Sequence, residues 1–151
     1  MPTSVRESIM ANLAATLAGI TEAAGYLTTV SQVFDRLIAG EAGPGDFVQI
    51  LALDPETYTE LANPKLERVL PLLLIYSRRV RGDTAHVEGL RALADMEKAL
   101  LADRTRGGYA FDTQLVSNVI IDPEASEPLQ EVQLRLRVQY RTHRTNPFSA
   151  S

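Results

Sequence analysis

Cysteine is absent from the 151 residues. That excludes a disulfide scaffold, a thiolate metal site and a cysteine nucleophile, and it suits a reducing compartment. A basic surplus is also missing. The formal net charge is −4, so no global field draws in DNA or RNA. Long hydrophobic runs are missing too: the most apolar, "VLPLLLIY" at 69–76, falls far short of the ~20 residues of a membrane-spanning helix. The N-terminus has Arg6, Glu7 and Asn12 spread through it and lacks the unbroken apolar core of a signal peptide. The expectation is a soluble protein with no membrane association, folded in the cytoplasm.

Residues that carry chemistry are sparse. Histidine occurs only at His86 and His143, and neither is followed by a second histidine or a carboxylate at i+3 or i+4, the spacing of a helical metal site. No serine sits in G-x-S-x-G, and the glycines of "GEAGPGDF" are not followed by the Lys-Ser/Thr of a phosphate-cradling loop. Asp54, Glu56 and Glu60 are close enough in sequence to pair for acid–base work, but capping and solvation of a helix start explain them more simply. The reading is therefore not an enzyme, with no catalytic residue, cofactor or metal.

What is present is an ordinary globular composition at a length that buries roughly 68–70% of the unfolded surface, enough for one core without staples. Val5, Ile9, Leu13 and Leu17 form an apolar stripe, and Ser4 and Glu7 make the S-x-x-E capping box of a first helix. A strand follows around Thr29–Phe34, then the glycine-rich loop Ile38–Asp46, then a strand "FVQILAL". Asp54, Pro55 and Glu56 predict a short helical turn. "KLERVLPLLLIYSRRVRG" predicts a long strand with Pro71 at an edge or bulge. "DTAHVEGLRALADMEKALLAD" predicts a second helix, with Asp83 as cap and Val87, Leu90, Leu93, Ala94, Leu100 and Leu101 at helical spacing. Two further strands flank "DPEASEP". This order predicts an α+β fold, an antiparallel or mixed sheet of about four to five strands with two main helices packed on one face. A single domain spans 1–141, with a flexible tail over 142–151.

The last strand carries the main functional signal. From Val132 to Arg141 it alternates without a break, apolar residues on one side and Gln133, Arg135, Arg137, Gln139 and Arg141 on the other. Three readings compete for its arginines: a solvated face with edge protection, nucleic-acid binding, and protein contact. No aromatics are interleaved as stacking platforms, and arginine's planar fork suits carboxylates in interfaces, so protein contact through Arg135, Arg137 and Arg141 is favoured. Basic strand faces on an acidic chain also allow copies to meet head to tail, closing into a ring when the rotation permits.

The layout resembles a known family. The opening helix with Val5-Arg6-Glu7-Ser8-Ile9, "AAGYLTTVSQVF" at 23–34, and above all the run from "GLRALADMEKALLAD" through the turn "RTRGGY" to the final alternating strand and "NPF" are similar to small tail-terminator, or tail-completion, proteins of long-tailed bacteriophages. The likeness covers nearly the whole chain in order of elements, and the middle segment is more apolar than the family pattern. The resemblance implies a non-enzymatic virion protein of the tail or neck, assembled in the host cytoplasm. It implies a ring, typically a hexamer, at the head-proximal end of the tail tube, where it stops tube polymerisation and offers the head-joining surface. Its partners would be copies of itself, the tail tube protein and the head–tail connector, with non-specific contact to DNA passing through the ring. The loop Ile38–Asp46 and the tail from Thr142 are candidates for ordering on docking. The alternatives are a head–tail connector or stopper of the same particle, and a small α+β ligand-binding domain or enzyme with a pocket between helix and sheet.

Overall fold

The structure is a computed structural model that describes residues 2–36, 45–52, 54–79, 84–123 and 128–150. Helix α1 (Val5–Ala18) begins as its sequence dictates. The Ser4 hydroxyl accepts from the Glu7 N–H at 3.1 Å, and the Glu7 carboxylate accepts from the Ser4 N–H at 2.6 Å. Those bonds hold the Glu7 carboxyl below its ordinary range, the backbone N–H contributing most. Val5, Ile9, Leu13 and Leu17 are all buried against the sheet.

Seven strands form one mixed sheet. They are β1 (Val30–Phe34), β2 (Asp46–Leu51), β3 (Thr57–Glu60), β4 (Lys65–Arg79), β5 (Asp112–Ile121), β6 (Leu129–His143) and β7 (Asn146–Ala150). The main path runs β1-β2-β4-β6-β5, with β3 on β4 and β7 on β6. Only β1 and β2 run parallel, and β4 and β6 pair over fifteen residues. Along both long strands the even-numbered residues from Leu70 to Tyr76 and from Val132 to Tyr140 face the helices and form the core. The architecture is the expected α+β arrangement, both helices lying on one face.

Pro71 behaves as its chemistry requires. On its second side β4 pairs with β3 through Leu66–Val69 and with β2 through Leu73–Ser77, so positions 70–72 fall in the gap between two short partners. A residue without an N–H is tolerated there, on a strand that is otherwise central.

Two expectations are corrected. No helical turn follows Asp54; the chain enters β3 instead. Thr57, Tyr58 and Thr59 have side chains that suit a pleated surface, and all four β3 residues are exposed, so no alternation announces the strand. The second correction concerns helix α2 (Ala85–Ala102). Of the six residues expected on its inner face, only Leu93 and Leu100 are buried; Val87, Leu90, Ala94 and Leu101 face outward. The buried face is made of small residues and one methionine: Ala85, Gly89, Ala92, Met96 and Ala99. The helix lies close over β5 and β6, where a Cβ at Gly89 would sit 2.7 Å from the Gln130 amide and 3.1 Å from Ile120. Leucines on that face would not fit so short a separation.

Asp83 and most of the loop Ile38–Asp46 lie outside the described residues; Asp46 itself opens β2. Of the segment expected as a tail, Thr142 and His143 complete β6, and Asn146–Ala150 fold back on it as β7 with every residue exposed.

Candidate functional site

The site is built on the sheet face opposite the helices. Alternation along β6 places Arg135, Arg137 and Arg141 there together, as expected, and register sets Leu73 opposite Arg135, Pro71 opposite Arg137 and Glu67 opposite Arg141. Leu51, Leu73 and Ile75 form a small apolar floor on this side, each 9% exposed or less.

The three arginines are not equivalent. The Arg141 guanidinium lies 3.4 Å from the Glu67 carboxylate and 4.6 Å over the Phe111 ring, a charge satisfied within the sheet. Arg135 reaches Asp54 at 3.4 Å in a solvent-exposed pair, worth at most about 1 kcal/mol. Arg137 is exposed and makes no ion pair or side-chain hydrogen bond among the described residues.

A cavity of about 260 Å³ opens beside Arg135 and Arg137, walled by Val69, Pro71 and Val116 with Asp54 at its rim. Three irregularities meet at this register. Pro71 sits in the gap between β2 and β3, the β2–β3 connection carries Asp54 and Pro55 across the opening, and β5 bulges between Leu115 and Ser117 so that Val116 drops out of the ladder. A bulge re-aims a side chain and bends its strand. The result is an apolar-walled groove with two guanidiniums at its edge.

Along one edge of the sheet β5 pairs only with β6, and its Val116, Val119 and Ile121 are each close to half exposed. Val87, Leu90 and Leu101 are similarly exposed on the outer surface of α2. Together they give the molecule an apolar flank that its own fold leaves uncovered.

Other candidates resolve into structure. Asp54 and Glu56 do not converge for acid–base work. Asp54 points to Arg135, whereas the Glu56 carboxylate, with a nearly buried side chain, accepts from the Tyr140 hydroxyl on the helix side and lies 3.5 Å from Arg6 and 3.7 Å from Arg68. A matching cluster joins β2 to β4: the Tyr76 hydroxyl donates to Asp46 at 2.7 Å, and Arg78 lies 3.2 Å from the same carboxylate. Burial first, and then the neighbouring carboxylate, pushes the pKa of each tyrosine well above its usual value.

The basic clusters at 77–82 and 103–108 form no continuous cationic track among the described residues. Arg78 is paired, Arg104 grips Asp112 at 2.7 Å, and Arg106 is fully buried, donating to the Leu100 and Asp103 carbonyls at the end of α2. His86 lies 3.5 Å from Asp122 with both side chains exposed, and no metal-binding group of three is found among the described residues. No helix there is long and apolar enough to cross a membrane.

Sequence reasoning missed Asp95. It is 3% exposed and accepts from the Leu27 N–H, the Thr28 N–H at 2.7 Å and the Thr28 hydroxyl at 2.6 Å, tying α2 to the bend before β1. An acidic residue on a helix reads as solvated, and its partners lie far away in sequence.

The arrangement defines a two-helix α+β domain with an open, charged sheet face and an uncovered apolar flank. No protein-family model and no curated protein matches the chain. Among solved structures it is similar to a chain of the "Virion of native gene transfer agent (GTA) particle", with a TM-score of 0.42 and 12% identity over 92% of each chain.

Proposed function

We propose that this protein is a structural component of a phage-type virion, a tail terminator that forms a ring at the head-proximal end of the tail tube. The observation that carries the reading is the surface left unsatisfied by the fold. An edge strand with exposed Val116, Val119 and Ile121 lies beside an unpaired Arg137 and an apolar-walled groove. Uncovered apolar area of this kind marks a protein-contact surface, and a long open strand edge is a template for a neighbouring chain. The resemblance of the 89–148 run to tail-completion proteins supplies the particle and the position. Contact with the tube, the connector and copies of itself follows from that role, as does weak, salt-dependent contact with DNA in the ring's bore.

Deleting the gene from the virus that encodes it and imaging the lysate by negative stain tests the reading. Tails of uncontrolled length with unattached heads are expected. Normal-length tails beside tailless heads would make the protein a connector, and normal particles would overturn the virion role.

A further inference from the structure

Charge is segregated along the β5–β6 hairpin. Residues 107–134 contain no Lys, Arg or His and carry Asp112, Asp122, Glu124, Glu127 and Glu131. From Arg135 to the last residue there is no Asp or Glu, while Arg135, Arg137, Arg141 and Arg144 follow one another. The hairpin is acidic at its tip and basic at its base.

Most of these charges are spent inside the fold. Asp112 holds Arg104, Asp122 accepts from Gln130, Arg141 holds Glu67, and Arg144 donates to the Leu61 carbonyl. On the basic side Arg137 is left over, at the mouth of the groove, and Arg135 has only its exposed pair with Asp54. On the acidic side Glu124 and Glu127 belong to residues 124–127, which lie outside the described residues and join Pro123 to Pro128.

From these features we infer that the Arg135/Arg137 groove receives the acidic hairpin tip of a second copy of this chain, residues 124–127, in a head-to-tail contact. The inference rests on the ring reading above and names the contact that would build it. The groove cannot be filled by its own tip. The ladder ends at the pair Ile121–Glu131, and Arg137 lies six residues further along β6, roughly 20 Å away at 3.3–3.4 Å per residue. A four-residue connection that must return to its own hairpin reaches less than about 10 Å. Charge complementarity therefore acts between copies. The groove and tip are different surfaces, so each copy offers one and receives the other, the heterologous geometry that closes into a ring. A nucleic-acid occupant fits less well: Asp54 sits at the groove's rim, and Val69, Pro71 and Val116 wall it with apolar surface. A carboxylate on a short apolar stem, as in Glu124 beside Ala125, satisfies both the guanidiniums and the walls.

The test is a charge swap read by native mass spectrometry and light scattering over micromolar to millimolar protein. One variant carries Arg135→Glu and Arg137→Glu, the other Glu124→Arg and Glu127→Arg; circular dichroism confirms that each folds. Wild type is expected to assemble, and each variant alone to lose assembly by more than about tenfold in dissociation constant. An equimolar mixture should assemble again, because every groove then finds a tip of opposite sign. Wild-type assembly indifferent to both reversals would overturn the contact, as would a mixture that stays monomeric. A wild type that stays monomeric throughout also overturns it, and Arg137-dependent retention on duplex DNA in that case would give the groove to phosphate. None of these outcomes bears on the gene-deletion phenotype, so the contact and the terminator role fail separately.

Discussion

Asp95 shows what one buried residue does here. Three protein donors converge on its carboxylate, and hydrogen bonds to a charged acceptor contribute about 1.5–3 kcal/mol each when broken one at a time. Asp95→Ala removes the acceptor and leaves the Leu27 and Thr28 N–H groups without it. A loss of about 3 kcal/mol is expected, measured as a lower urea midpoint at unchanged slope. Asp95→Asn keeps one acceptor oxygen and should lose less. A midpoint indifferent to Asp95→Ala would mean that water replaces the carboxylate and that the bend before β1 is held by other contacts. Residues of this kind were illegible in the sequence because their meaning lies in distant partners. Glu56 is the same case: its neighbours Asp54 and Pro55 suggested a helix cap, whereas its bonding partner Tyr140 is 84 positions away. The alternation that placed Arg135, Arg137 and Arg141 on one face was fully legible. Which of them would find an acid was not, since Asp54 and Glu67 reach them only through the sheet's pairing.

At the scale of elements, helix α1 and helix α2 make an instructive pair. Helix α1 has a single apolar stripe and a capping box, so one orientation satisfies every local preference and the sequence shows it. Helix α2 has two candidate faces, one rich in leucine and valine, the other rich in alanine, and hydrophobicity alone selects the wrong one. Packing distance decides: the alanines and Gly89 let the helix approach β5 and β6, and Asp95 must face inward to meet its donors. Truncation distinguishes the two faces. Leu13→Ala in α1 should destabilise by about 3 kcal/mol through the cavity it leaves, whereas Leu90→Ala on the outer face of α2 should stay within about 0.5 kcal/mol. Thermal melting of both variants checks this. A large loss at Leu90 in the isolated chain would mean that α2 lies the other way round. Strand β3 escaped notice for a related reason: exposed on both faces, it has no alternation to read and exists only because β4 offers it an edge.

For the whole molecule, the two tyrosine–carboxylate clusters set the alkaline limit. Tyr76 and Tyr140 are fully buried and share their hydroxyls with Asp46 and Glu56, so the folded state favours their neutral forms. Both pKa values lie above that of an unfolded tyrosine, about 10. Their contribution is therefore complete below about pH 10 and is lost as pH rises beyond it, by about 1.4 kcal/mol per pH unit for each group. Denaturant midpoints measured from pH 8 upward should be flat to about pH 10 and then fall, and the double variant Tyr76→Phe/Tyr140→Phe should fall less steeply. Equal slopes for the two proteins would show that other groups govern alkaline unfolding.

The fifteen-residue ladder between β4 and β6 has a mechanical consequence. At about 3.4 Å per residue it runs for roughly 50 Å, nearly all of it shared by the two strands. Tension applied along those strands loads every rung at once, so the sheet gives way by sliding as a unit and not by unzipping from one end. The domain is a girder in that direction and far softer across it, where only the short partners β1, β3 and β7 hold the margins.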